Sequence, residues 1–257
     1  MEHQPNFPEE LLLHEPDRGG RLIQEFYEQY HEGKRSAEAA SQRKGRHDDV
    51  KAAFYRKHLQ ARSHDSRSIG LDVGCRVGGM IKLVGTIHWL GVDIDPQALA
   101  VTRKAGIPCA EMDFTSSLGF RDESVDAIMM TDVLEHLPYP SIVMREVHRV
   151  LKRNPASIFL GSVPLDYHLH RRWKVLRGKR LSGEQTHIHH FSFHELDRLL
   201  RFCFEMVDYL PLSGTAARYS ALKLPYHLFV RDIAWTAVSP KTNSGRWDLS
   251  ADKGPTR

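Results

Sequence analysis

Apolar and polar positions change period several times along this chain. Leu22, Ile23, Phe26, Tyr27 and Tyr30 recur at helix-face spacing, and Val50, Ala53 and Phe54 resume that pattern after a polar stretch from Gly33 to Asp49. From Ser68 onward, short apolar runs alternate with helix-period segments. The runs Ser68–Val73, His88–Ile94, the stretch ending at Asp113, Val125–Met130, Ser157–Val163, Phe204–Leu210 and Ile233–Val238 read as strands. Asp95-Pro96 supplies an N-cap and a first-turn proline, and Gly106 stops that helix. Ser141–Lys152 reads as a helix with Val143, Val147, Val150 and Leu151 inward, broken by Asn154-Pro155. Ser192-Phe-His-Glu195 forms a capping box for a helix running through Leu200. Alternation of this kind predicts a parallel sheet with crossover helices on both faces.

Chemistry concentrates in Ser68-Ile-Gly-Leu-Asp-Val-Gly-Cys-Arg-Val-Gly-Gly79, where a buried strand feeds a glycine-rich turn and a helix start. Backbone N–H groups and a helix N-terminus at such a turn hold small polar ligands. Some twenty residues on, Asp93 closes a second apolar run, a place suited to a ribose diol. A dinucleotide fingerprint would read G-x-G-x-x-G, but Arg76 stands where its middle glycine belongs. Asp72 ahead of the turn suits a cationic group and gives a pyrophosphate nothing, which disfavours an oxidoreductase. Arginine reaches the turn's left-handed backbone only with strain. Its side chain either points to solvent from a remodelled turn, weakens cofactor affinity, or reaches an acidic substrate.

These residues resemble the class I S-adenosylmethionine-dependent methyltransferases, close to the type 11 family, whose first motif looks like D-x-G-C-G-x-G. Asp72, Gly74, Cys75 and Gly78 match it. Gly91-Val-Asp-Ile-Asp-Pro96, Cys109-Ala-Glu-Met-Asp-Phe114 and Ser124–Leu137 resemble the second, third and fourth motifs. The resemblance implies that the glycine loop holds the methionine part of the cofactor, and that Asp93, with Ile94 beside it, takes the ribose. Asp113 and Phe114 would then lie at the adenine, with Thr131 at the fourth strand end. Asp72, Asp93, Asp113 and Thr131 all fall at predicted carboxyl ends of strands, the ligand edge of such sheets. The expected fold is α/β: a Rossmann-like, doubly wound, mostly parallel seven-stranded sheet with helices on both faces, a helical N-terminal extension and a helical lid insert. Residues 1–66 would form a loose arm and helical extension, 67–240 the methyltransferase domain with its lid at about 165–190, and 241–257 a polar tail.

Length and composition are ordinary for one α/β domain with extensions: 257 residues, 41% hydrophobic and 26% charged, with a formal net charge of +4. The N-terminus lacks a secretory pattern, no run is long and apolar enough to span a membrane, and Cys75, Cys109 and Cys203 have no metal-ligand spacing. A cytoplasmic setting with reduced thiols is expected. Mild basicity tolerates an anionic partner without demanding one, and nucleic acid is not expected.

Methyl transfer requires alignment and exclusion of water, and a base when the acceptor is a hydroxyl. His136, just past the fourth strand, is a candidate base, and Asp132 or Glu135 a candidate for orienting the acceptor; alternatively Glu135 and His136 only pin the loop. The insert Leu165–His190 holds Leu169, Trp173 and Leu176 at i, i+4 and i+7, with Arg171, Arg172, Lys174 and Arg177 on other faces. Such inserts form the acceptor lid in the resembled family. The basic face suits an anionic or lipid-linked acceptor, or a peripheral membrane contact, and equally a solvated surface. Tyr27, Tyr30, Glu135, Arg171, Trp173 and His189 are the substrate-side candidates. The histidines His187, His189, His190 and His194 have no cysteine or carboxylate pair beside them at ligand spacing, so no metal is expected. The leading reading is O-methylation of a small-molecule, saccharide or lipid-linked acceptor. An RNA or protein methyltransferase and a non-catalytic cofactor-binding protein are the alternatives.

Overall fold

The computed structural model describes residues 11–12, 43–181, 186–218 and 223–241. Among them, seven strands form one sheet: β1 (Ile69–Val73), β2 (His88–Asp93), β3 (Cys109–Glu111), β4 (Ala127–Thr131), β5 (Ile158–Pro164), β6 (Phe204–Gly214) and β7 (Val230–Pro240). Their order is β3-β2-β1-β4-β5-β7-β6. The pairs from β3 across to β5 are parallel, and β7 runs antiparallel between β5 and β6. The order reverses at β1, and ligands collect beyond the strand tips at such a switch point.

Helix α1 (Arg43–Ala61) precedes the sheet, and α2 (Gly79–Val84), α3 (Pro96–Lys104), α4 (Pro140–Val150), α5 (Leu169–Leu176) and α6 (Phe193–Cys203) follow in order. Short turns α7 (Thr215–Arg218) and α8 (Tyr226–Phe229) lie between β6 and β7. Strand alternation splits the core in two. Leu71, Val73, Ile128 and Met130 pack on one face with Val143, Met144 and Val147 of α4 and Leu196 and Leu200 of α6. Met129, Ile158 and Leu160 pack on the other with Ala52, Tyr55 and Leu59 of α1, Ile81 and Val84 of α2, and Leu99 of α3.

Local signals set the boundaries as expected. Asp95 Oδ1 accepts from the backbone N–H of Gln97 (2.9 Å) and Ala98 (3.1 Å), and Pro96 opens α3. Ser192 Oγ caps α6 by accepting from Glu195 N at 3.1 Å, while the Glu195 carboxylate turns to His189. In α1 the inward face differs from the expected Val50, Ala53 and Phe54. Val50 is 44% exposed, whereas Lys51, Ala52, Tyr55 and Leu59 are buried. Tyr55 decides this rotation, since its hydroxyl donates to the Gly161 carbonyl at 2.7 Å across the sheet. In the arm, Leu12 bridges Phe120, so that point is tied to the domain rather than loose. Tyr27, Tyr30 and the tail beyond Lys241 lie outside the described residues. No helix among the described residues is long and apolar enough to cross a membrane.

Candidate active site

At the tip of β1 the chain turns through Gly74 (φ +77°), Arg76 (φ +47°) and Gly78 (φ +68°). A Cβ at Gly74 would lie 2.6 Å from Val133 Cγ2, and one at Gly78 2.7 Å from Ile107 Cδ1, so both positions exclude side chains by space as well as by φ. The turn is tied to β2: Gly74 N and Cys75 N donate to Val92 O at 2.8 and 3.1 Å. Cys75 is buried with its Sγ packed on Gly91, where a Cβ would lie 2.6 Å from the sulfur. Burial pushes the Cys75 thiol well above its ordinary pKa, so it acts as a small core residue. With only six residues, α2 adds little dipole, and the backbone of the turn carries most of any polar contact.

Asp72 is 1% exposed and its Oδ1 has no hydrogen-bond partner among the described residues. Burial, and then the neighbouring Asp93 carboxylate, push its pKa well above the usual carboxylate range. Asp93 is also buried and its pKa is raised by burial. Its Oδ2 accepts from Arg76 N at 2.7 Å and its Oδ1 from Asp95 N at 2.9 Å. One acid therefore braces the turn while keeping a second lone pair on each oxygen for a diol. Arg76 does adopt the left-handed backbone anticipated for it. It is half-buried, with Nε enclosed.

The expected adenine residues follow β3. Asp113 Oδ1 accepts from Thr115 N at 2.9 Å, and Phe114 packs half-buried against the main core. Ile94 is buried beyond β2, and Thr131 ends β4 in register with Ser162 of β5. A buried carboxylate oxygen lacking a donor suits the cationic amino group of S-adenosylmethionine, and the neighbouring Asp93 suits its ribose. The residues present thus fit that cofactor.

Beyond β4 the chain makes a single 3-10 turn, Leu134–His136. Asp132, at φ +56°, accepts from Lys51 Nζ at 3.0 Å and from Ser162 Oγ at 2.7 Å. Burial alone would lower the Lys51 pKa, yet Asp132 and Asp48 beside it hold it above the ordinary value. This ion pair, absent from the sequence expectations, fixes Asp132 to the scaffold. Charge at an i, i+3 spacing between Asp48 and Lys51 was the available signal, but nothing local pointed to Asp132.

Glu135 is 1% exposed, and burial pushes its carboxyl well above the usual range. Its backbone carbonyl accepts from Ile188 N at 3.0 Å and His189 N at 2.9 Å, strapping the base of the lid over the β4 tip. His136 Nδ1 bonds Thr186 O at 3.0 Å, and its ring meets that of His187 edge-on at 5.0 Å. A carbonyl can only accept, so Nδ1 carries the proton in this contact. Glu135, His136 and His187 offer ligand atoms within 4.8 Å of one another. The carboxylate of this group comes from the turn after β4, not from the sequence neighbourhood of the lid histidines, where no pair was expected.

The other lid candidates scatter. His189 Nε2 donates to Glu195 Oε1 at 3.0 Å, and His190 Nδ1 bonds buried Asp166. Arg171 also engages Asp166 at 2.6 Å and donates to Leu181 O, so it does not belong to a free basic face. The expected apolar stripe of α5 exists, but none of its residues is buried: Trp173 is 59% exposed and Leu176 80%. Leu169, Trp173 and Leu176 face Leu228 and Phe229 across an open groove of about 660 Å³. It lies at the tips of β5 and β6, the same sheet edge as the turn.

Comparison with known proteins agrees with this geometry. Residues 71–159 match the family described as a methyltransferase domain. No curated protein matches the chain significantly. Among solved structures, the YcgJ protein of Bacillus subtilis superposes with a TM-score of 0.51 at 14% identity, covering 71% of this chain and 96% of its own. The [4+2]-cyclase SpnF gives 0.54 at 19% identity, with 74% of this chain and 81% of that one covered. A Haloferax volcanii protein solved with the Trm112 methyltransferase activator gives 0.53 at 17% identity, with coverages of 80% and 97%. At these identities the superpositions establish the fold.

Proposed function

On the premise that this chain carries a class I methyltransferase domain with S-adenosylmethionine as its cofactor, we propose that it transfers a methyl group to an oxygen of a small-molecule acceptor. The observation that supports this most is the carboxylate oxygen of Asp72 in the tip of β1, partnerless among the described residues, beside Asp93 in the tip of β2. Bound there, the cofactor supplies a methyl group made electrophilic by its sulfonium. Asp72 would hold the amino end, Asp93 with Ile94 the ribose, and Asp113 with Phe114 the base. Thr131 and the 3-10 turn after it border the space for the acceptor. His136, held by its Nδ1 contact to the Thr186 carbonyl, would serve as the base for an acceptor hydroxyl. Isothermal titration with S-adenosylhomocysteine is expected to give one site per chain, weakened in Asp93→Ala. No heat of binding in the native protein would leave the non-catalytic alternative standing.

The exposure of α5 favours an acceptor carried by a lipid. Its Trp and Leu side chains are open to solvent beside Arg172, Lys174 and Arg177, a combination that suits an anionic bilayer surface. Sedimentation with phosphatidylglycerol vesicles is expected to carry the protein down, and Trp173→Ala to release it. Equal behaviour with phosphatidylcholine vesicles would count against this reading.

A further inference from the structure

We propose that Glu135, His136 and His187 form a binding site for a borderline first-row divalent cation of the Zn²⁺ class. Two residues come from the turn after β4 and the third from the strap at the end of the lid, 51 positions away in sequence. Their ligand atoms lie within 4.8 Å of one another, against about 3.3 Å between neighbouring ligands of a tetrahedral zinc.

Two independent features support a cation here. Glu135 Oε2 is buried with no hydrogen-bond partner among the described residues, an oxygen that a cation would satisfy. The Nδ1–H of His136 is directed at the Thr186 carbonyl, which orients the ring within the group. Metal-bound histidines are commonly oriented by this kind of outer contact. Two imidazoles and one carboxylate suit Zn²⁺ or Co²⁺ better than Mg²⁺ or Ca²⁺, which prefer all-oxygen sets.

Three protein ligands leave a coordination position open. The site follows the tip of β4, where the reading above puts the acceptor, so this inference deepens the O-methylation reading and rests on it for its catalytic meaning. His136 then acts as a ligand rather than as the proton acceptor. A coordinated hydroxyl is acidified and releases its proton to solvent. Its oxygen lone pair forms the new O–CH₃ bond as the S–CH₃ bond breaks, leaving a neutral thioether. Acceptors with an acidifiable hydroxyl, such as phenols and enols, are the class this favours.

The test uses the full chain, freed of any affinity tag and stripped with chelator, titrated with Co²⁺ and followed by visible absorption. One equivalent with the intense d–d bands of a four-coordinate ion is expected, displaced by Zn²⁺. Glu135→Gln and His187→Ala should each weaken Co²⁺ binding by about 100-fold or more. Folding of each variant is confirmed by its circular dichroism, and S-adenosylhomocysteine titration reports separately on the cofactor reading. No stoichiometric Co²⁺ spectrum, or the same spectrum in both folded variants, overturns the site even when the cofactor binds normally.

Discussion

Asp72→Asn should make this protein more stable and a poorer binder of its cofactor at once. The carboxyl is 1% exposed, one oxygen lacks a partner among the described residues, and Asp93 lies close enough to oppose its ionisation. Its folded pKa is therefore above the unfolded value. The stability linked to it is complete below the ordinary carboxylate range and is lost as pH rises through the raised folded pKa. The amide keeps the shape and cannot ionise, so the variant escapes that loss. Its advantage is expected to grow from pH 4 toward pH 8. Each 1 kcal/mol gained raises the melting temperature of a domain this size by roughly 2–4 °C. In the complex, the same acid would meet the amino group of the cofactor. A hydrogen bond between charged groups is worth about 1.5–3 kcal/mol, so its loss weakens binding by about 10- to 150-fold. Differential scanning fluorimetry across pH and isothermal titration with S-adenosylhomocysteine measure both effects. Unchanged affinity in a stabilised variant would refute Asp72 as a cofactor contact, and a destabilised variant would refute the burial argument.

Arg76→Gly relieves a left-handed non-glycine backbone (φ +47°), worth about 1–2 kcal/mol, against about 0.5–1 kcal/mol of added chain entropy. A small rise in melting temperature with affinity for S-adenosylhomocysteine held within threefold is expected; a tenfold fall would place the guanidinium at the ligand. Gly161→Ala puts a Cβ 2.2 Å from Trp235 Cζ2 and 2.8 Å from the Met130 carbonyl, so a loss of about 1–3 kcal/mol or more is expected in urea unfolding. An unchanged midpoint would mean that the Trp235 ring moves aside freely.

The sequence by itself determined the order of strands and helices, the caps at Asp95 and Ser192, and the acids at the tips of β1 and β2. Periodicity, capping and turn chemistry depend on residues within a few positions of one another, so they survive without knowledge of the fold. Tertiary structure alone decided what depends on distant partners. Helix α1 buries Lys51 and Tyr55 because they meet Asp132 and Gly161, 81 and 106 residues along the chain. The apolar stripe of α5 was legible, but whether anything covers it was not. Glu135 and His136 read as a loop pin or a base until the fold laid the strap of His187 against them. That meeting arises from backbone hydrogen bonds between two loops, which no local pattern encodes.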